Sequence, residues 1–208
     1  MVSSKIASLL LEVGAVKLSP ESPFKWASGW NSPIYCDNRL TLSFPEARTF
    51  IKNALAEIIC QNFPDIQSIA GVATAGIPQG ALVADILDKP FVYVRPKPKD
   101  HGMANLIEGN VEKGQKVVVV EDLISTGGSS IKAVEALRDA GVDVIGMVAI
   151  FTYGFKIADE NFGKANVKLV TLSNYHFLLE EGLRGNYITE GQVTSLKKWR
   201  ESPETWTA

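Results

Sequence analysis

Residues 117–130 read VVVVEDLISTGGSS: four valines, two carboxylates, a run of small residues, then a helix start. Glu121 and Asp122 stand directly ahead of Leu123, Ile124, Ser125, Thr126, Gly127, Gly128 and Ser129. From Ser125 to Gly128 the chain offers backbone N–H groups with little side-chain bulk. At a helix N-terminus such orphan amides and the helix dipole both favour an anion. Two carboxylates beside a phosphate would repel it, so they must face a neutral part of the same ligand. The vicinal hydroxyls of a ribose fit, because carboxylates accept hydrogen bonds from them. The pattern therefore suits a ribose 5-phosphate, with amides on the phosphate and acids on the sugar. The bland alternative is an acidic pair at a sheet end followed by an ordinary helix cap. Neither a GK[ST] phosphate loop nor a GxGxxG fingerprint is present.

The elements that must position these groups follow from the flanks. Val117 to Val120 do not alternate with polar residues, which predicts a strand buried on both faces of a parallel sheet. Ile131, Val134, Leu137 and, more weakly, Ala133 predict the apolar face of the next helix, with Ser129 or Ser130 as its cap. A second strand–turn–helix unit precedes it. Ile69 to Ala73 predicts a strand, Thr74-Ala75-Gly76 a small turn, and Ile77 to about Leu87 a helix. That turn is a second candidate anion site, although tight turns of this kind need small residues in any case. Two such turns on one sheet suit a ligand with phosphate at both ends.

Strand Phe91 to Arg95 leads into PKPKDHGMANLIEG, where Arg95, Lys97, Lys99 and His101 fall within seven residues. The segment has no helical or strand period and little to bury, which predicts a mobile loop. Residues 24–45 are turn-rich and then extended; read alone they fit a surface loop and hairpin. The remaining pattern predicts a helix over 3–13, and one with Ser43 as cap and Pro45 in its first turn. Beyond these come a return strand near 105–109, strands at 142–151 and 167–172, and helices near 174–182 and 190–200, the last with a Thr189-x-x-Gln192 capping box.

Composition sets the outer bounds. The chain has 208 residues, 46% of them hydrophobic, enough for one sizeable domain with an appendage. Its 21 basic and 23 acidic residues give a net charge of −2, so there is no bulk electrostatic case for nucleic acid. Cys36 and Cys60 are too few for a disulfide framework or a zinc site, and a reducing cytoplasm is the simpler expectation. Neither a secretion signal nor an apolar run of about 18 residues is visible, so no membrane association is expected.

VVVVEDLISTGGSS resembles the ribose-phosphate signature of type I phosphoribosyltransferases, which bind phosphoribosyl diphosphate (PRPP). SGWNSPIYCDNR resembles the SG-xx-SP-x-Y segment of orotate phosphoribosyltransferases, and Arg95, Lys99, Asp100, His101 and Gly102 match their R-x-x-x-K-D-H-G loop. The resemblance spans roughly residues 20–175. It implies an α/β fold: a Rossmann-like parallel-sheet core over 65–173, an N-terminal segment 1–64 carrying a small hood, and C-terminal helices over 174–208. It implies transfer of ribose 5-phosphate from PRPP to orotate, giving orotidine 5-phosphate and diphosphate. Arg95, Lys99, Asp100 and His101 would act in catalysis. PRPP would be held by Arg95, Lys99, His101, residues 121–129 and Thr74-Ala75-Gly76, and orotate by Ser125, Tyr35 and Tyr153. Mg²⁺ would travel with the diphosphate, with no direct protein ligand. The partners implied are the two substrates and a second copy of the chain, in a homodimer that shares loop 96–104.

The chain departs from the family pattern at several cations. Pro96 follows the loop arginine with Lys97 as the nearest substitute, and Ala27, Ala75 and Tyr153 stand where other members carry basic residues. The rival readings are a phosphoribosyltransferase for a purine or uracil, and a non-catalytic PRPP sensor. The hood segment and the KDHG loop argue against the first. The second needs a DNA-binding appendage that the first 40 residues do not supply.

Overall fold

The computed structural model describes residues 1–26, 29–97 and 106–207. The chain opens with α1 (Val2–Glu12), ended by Gly14 at φ +70°, and then builds the hood. Strand β1 (Val16–Leu18) pairs antiparallel with β4 (Ile34–Cys36), and β2 (Phe24–Lys25) with β3 (Asn31–Ser32). A 3₁₀ turn (Asn38–Ser43) connects to α2 (Pro45–Asn62). Pro45 takes the first helical position as expected, but the cap is Phe44 without a side-chain bond. Ser43 instead ends the 3₁₀ turn.

The core then alternates: β5 (Ser68–Val72), α3 (Gly76–Leu87), β6 (Phe91–Val94), β7 (Ile107–Glu108), β8 (Lys116–Ile124), α4 (Gly128–Asp139), β9 (Asp143–Thr152), α5 (Lys156–Lys164) and β10 (Leu169–Asn174). Helices α6 (Tyr175–Arg184) and α7 (Glu190–Glu201) follow, the latter with the expected Thr189/Gln192 capping box. Among the described residues the main sheet has six strands in the order β10-β9-β8-β5-β6-β7. All neighbours are parallel except β6 and β7.

Val117 to Val120 are all fully buried at the sheet's centre. At about 1.5–3 kcal/mol for each fully buried valine, this run anchors the sheet. One face carries Val118, Val120, Val148 and Ile150 under residues of α1, α2, α3, α6 and α7; the other carries Val117, Val119, Met147 and Ala149 under α4 and α5. Segments 1–64 and 174–208 thus share one apolar cluster with the sheet. Chain order reverses between β5 and β8, and in such sheets the crevice at the carboxyl ends of those strands takes the ligand. Both small turns leave that edge.

Candidate active site

The acidic pair lies within β8, because the strand runs on past the valines to Ile124. Pairing with β5 stops at Val120, whereas pairing with β9 continues to Ile124. The end of β8 therefore overhangs the crevice on its β5 side, and the acids sit on rigid backbone. Glu121 is buried; its Oε2 accepts from Ser130 Oγ at 3.2 Å and its Oε1 from the Asp122 N–H at 3.1 Å. Burial, and then the neighbouring Asp122 charge, push Glu121 well above the usual carboxylate range. Asp122 is less buried and is raised chiefly by desolvation, against which hydrogen bonds from Glu121 and the backbone pull it down. Both carboxyls are thus raised, Glu121 the more strongly because it is the more deeply buried of the two.

Ser125 and Thr126 form the turn and Gly127 closes it at φ +79°, the left-handed region in which glycine carries no steric penalty. Gly127 caps α4, whereas Ser129 or Ser130 was expected to; Ser130 is occupied with Glu121 instead. A Cβ on Gly127 would come within 2.7 Å of the Phe162 ring. Asn161 Nδ2 donates to the Thr126 carbonyl at 2.9 Å, so α5 braces the turn from below. Within the stretch 121–129, the Ile124 side chain points into the core and is fully buried. Its contribution to a ligand is limited to the backbone.

The second turn begins with a cis peptide bond between Ala73 and Thr74, and Ala75 caps α3. A Cβ on Gly76 would lie 2.5 Å from the Val120 carbonyl, and one on Gly71 would lie 2.8 Å from the Gly76 carbonyl. Only glycines let α3 approach β5 and β8 this closely, which brings the second turn beside the first. A cavity of about 510 Å³ adjoins them, lined by Ala73, Arg95, Pro96, Leu106, Ser129, Lys132, Glu135 and Asp139 among others. Arg95 Nη1 lies 3.4 Å from Glu108 Oε1, the return strand steadying its guanidinium. Lys132 is a cation at this edge that the sequence did not single out, because it reads as the polar face of an ordinary helix. The expected loop residues Lys99, Asp100 and His101, and the position of Ala27, lie outside the described residues.

Across the crevice stands the hood. Tyr35 is 42% exposed, with its ring centroid 5.7 Å from that of Phe24. Tyr153 is 2% exposed and packs among Trp26, Phe151, Phe155 and Trp199, with centroids 5.3–5.7 Å away. It is a core residue that joins the hood to the sheet, and burial pushes its hydroxyl well above its ordinary range. Asn38 Nδ2, 84 residues distant in sequence, donates to the Asp122 carbonyl at 2.8 Å. Among the described residues no three His, Cys, Asp or Glu side chains cluster as a metal cage. The oxygen donors at the site, chiefly Asp122, are of the hard type that Mg²⁺ takes.

The family model for a phosphoribosyl transferase domain matches residues 45–184, which includes both turns and the acidic pair. A protein of Cytophaga hutchinsonii named orotate phosphoribosyltransferase is 60% identical over 98% of this chain and 98% of its own length. The chain belongs to the orotate phosphoribosyltransferase family. A second family member, from Porphyromonas gingivalis, is likewise 60% identical, over 97% of this chain and 96% of its own. The crystal structure of the orotate phosphoribosyltransferase from Aeropyrum pernix is 34% identical, covering 85% of this chain and 97% of that one, with a TM-score of 0.76. The α/β sheet here carries helices on both faces.

Proposed function

We propose that this protein transfers ribose 5-phosphate from PRPP to orotate, releasing diphosphate and orotidine 5-phosphate in pyrimidine biosynthesis. The observation that carries the reading is one crevice that unites the Asp122 carboxyl, the Ser125–Gly127 amide turn and the Thr74–Gly76 turn. The turn at the start of α4 binds the 5-phosphate, because its amides and the helix dipole point there. Asp122 accepts from the ribose hydroxyls and faces the positive charge that grows on the ring as the C1–oxygen bond breaks. Negative charge grows at the same time on the departing diphosphate, and fixed cations stabilise it. Arg95 lines the adjoining cavity. By family resemblance Lys99, Asp100 and His101 join it.

Mg²⁺ fits this donor set and supplies charge neutralisation at the diphosphate when bound; Asp122 would hold it through the sugar hydroxyls or water. Orotate approaches from the hood side past Tyr35 and Ser125. Its ring nitrogen can present deprotonated, so the site needs no strong base. Tyr153 supports the hood from within the aromatic cluster. The working unit is a homodimer that shares the segment 96–104, acting in the cytoplasm; no helix among the described residues is long and apolar enough to cross a membrane.

The test is PRPP-dependent loss of orotate absorbance with purified protein. Turnover of orotate that needs both PRPP and Mg²⁺ is expected. Consumption of a purine base or uracil in place of orotate would overturn the reading.

A further inference from the structure

Asp122 lies two positions beyond Val120, the last residue of β8 that pairs with β5. Its carbonyl has therefore lost its sheet partner on that side and accepts from Asn38 Nδ2 instead. Asn38 is 1% exposed, so this bond is shielded from water. The direction of the amide is set by its other end, where Cys36 Sγ donates to Asn38 Oδ1 at 3.3 Å. Burial, with the charges of Asp122 and Asp37, raises the Cys36 thiol well above its ordinary range, so it stays a donor. The Asn38 carbonyl in turn accepts from Thr41 Oγ1 at 2.6 Å, and Gln79 Nε2 of α3 donates to Thr41 Oγ1 at 3.4 Å. A buried chain of side-chain bonds thus runs from hood strand β4 to the overhanging end of β8 and on to the helix behind the second turn.

We propose that Asn38 is a positioning residue for Asp122. It holds the free end of β8 by its backbone so that the carboxylate meets the ribose hydroxyls, and the Cys36 thiol keeps the amide facing the right way. Asn38 never touches the sugar; it ties the hood to the sugar-binding strand. The inference rests on the reading of Asp122 as the ribose acceptor.

The experiment compares Asn38→Ala, Asp122→Asn and their double variant by calorimetric titration with PRPP and Mg²⁺ in the absence of orotate. Inorganic diphosphate serves as a ligand that lacks the ribose. Asn38→Ala should weaken PRPP by about tenfold while diphosphate stays within about twofold. The double variant should bind PRPP no worse than Asp122→Asn alone, because the two residues act through one contact. An Asn38→Ala protein that melts earlier yet binds PRPP like the wild type overturns the positioning role, as do losses that multiply in the double variant. Should Asp122→Asn itself keep wild-type PRPP affinity, the ribose reading is what fails. If Asn38→Ala does not fold, Cys36→Ser and Cys36→Ala decide the matter. The serine keeps the donor and should retain affinity, the alanine should lose about threefold, and equal affinities overturn the proposal.

Discussion

Glu121 and Asp122 are adjacent in sequence but unequal in environment. Asp122 meets the crevice, so Asp122→Asn removes a charge-assisted hydrogen bond at little packing cost. Ribose recognition should weaken by about 1.5–3 kcal/mol, read as a loss of PRPP affinity in a protein that still melts normally. Turnover and affinity both at wild-type levels would remove the acidic pair from the sugar site. Glu121 is a stability matter. Its raised pKa means the folded state keeps a proton that the unfolded chain releases. That contribution is fully present below the ordinary glutamate range near about 4.3 and is lost as pH rises through the folded value. Glu121→Gln cannot ionise, so denaturant melts of the ligand-free protein should show its advantage over the wild type growing as pH rises. A pH-independent difference would place the proton elsewhere.

At the scale of elements, the Ser125–Gly127 turn depends on α5. This helix holds only nine residues, of which Ala158 and Phe162 are buried, too few for a helical stripe to stand out in the sequence. Yet Asn161 binds the Thr126 carbonyl and Phe162 fills the space under Gly127. Gly127→Ala meets two obstacles, a left-handed backbone and the Phe162 ring. The left-handed backbone alone costs about 1–2 kcal/mol. Urea melts should show at least that loss. Inorganic phosphate and ribose 5-phosphate should bind more weakly as well, because the amides shift with the turn. Unchanged phosphate affinity would move the 5-phosphate away from this turn.

For the whole molecule, the shared-loop homodimer is the claim with the sharpest test. Lys99→Ala supplies a defective loop and Asp122→Asn a damaged sugar site. If loops serve the neighbouring site, random reassortment makes about half the dimers hybrids, each with one intact site. Activity should then return to about a quarter of the wild type. If each loop serves its own subunit, the mixture stays at the level of its parents once subunit exchange is confirmed. The sheet order makes a common site reasonable, since the β5 and β8 turns open on one edge where chain order reverses.

The sequence by itself determined those features that local chemistry dictates. Four consecutive valines demand burial on both faces, small residues after each strand demand tight turns, and a carboxylate pair beside an amide turn suits a ligand with neutral and anionic parts. The Thr189/Gln192 box and Pro45 likewise marked their helices, because caps act within a few residues. Tertiary structure decided whatever depends on partners distant in the chain. Ser130 reads as a cap until Glu121 is seen to accept its hydroxyl. Tyr153 gives no local sign that the packing of Trp26 and Trp199 encloses it. Asn38 reads as one polar residue in a loop, and only the ending of the β5 pairing four residues before the end of β8 gives it the Asp122 carbonyl to hold. Helix α5 meets the Ser125–Gly127 turn the same way, since the tertiary packing sets which side chains meet and no local signal encodes it.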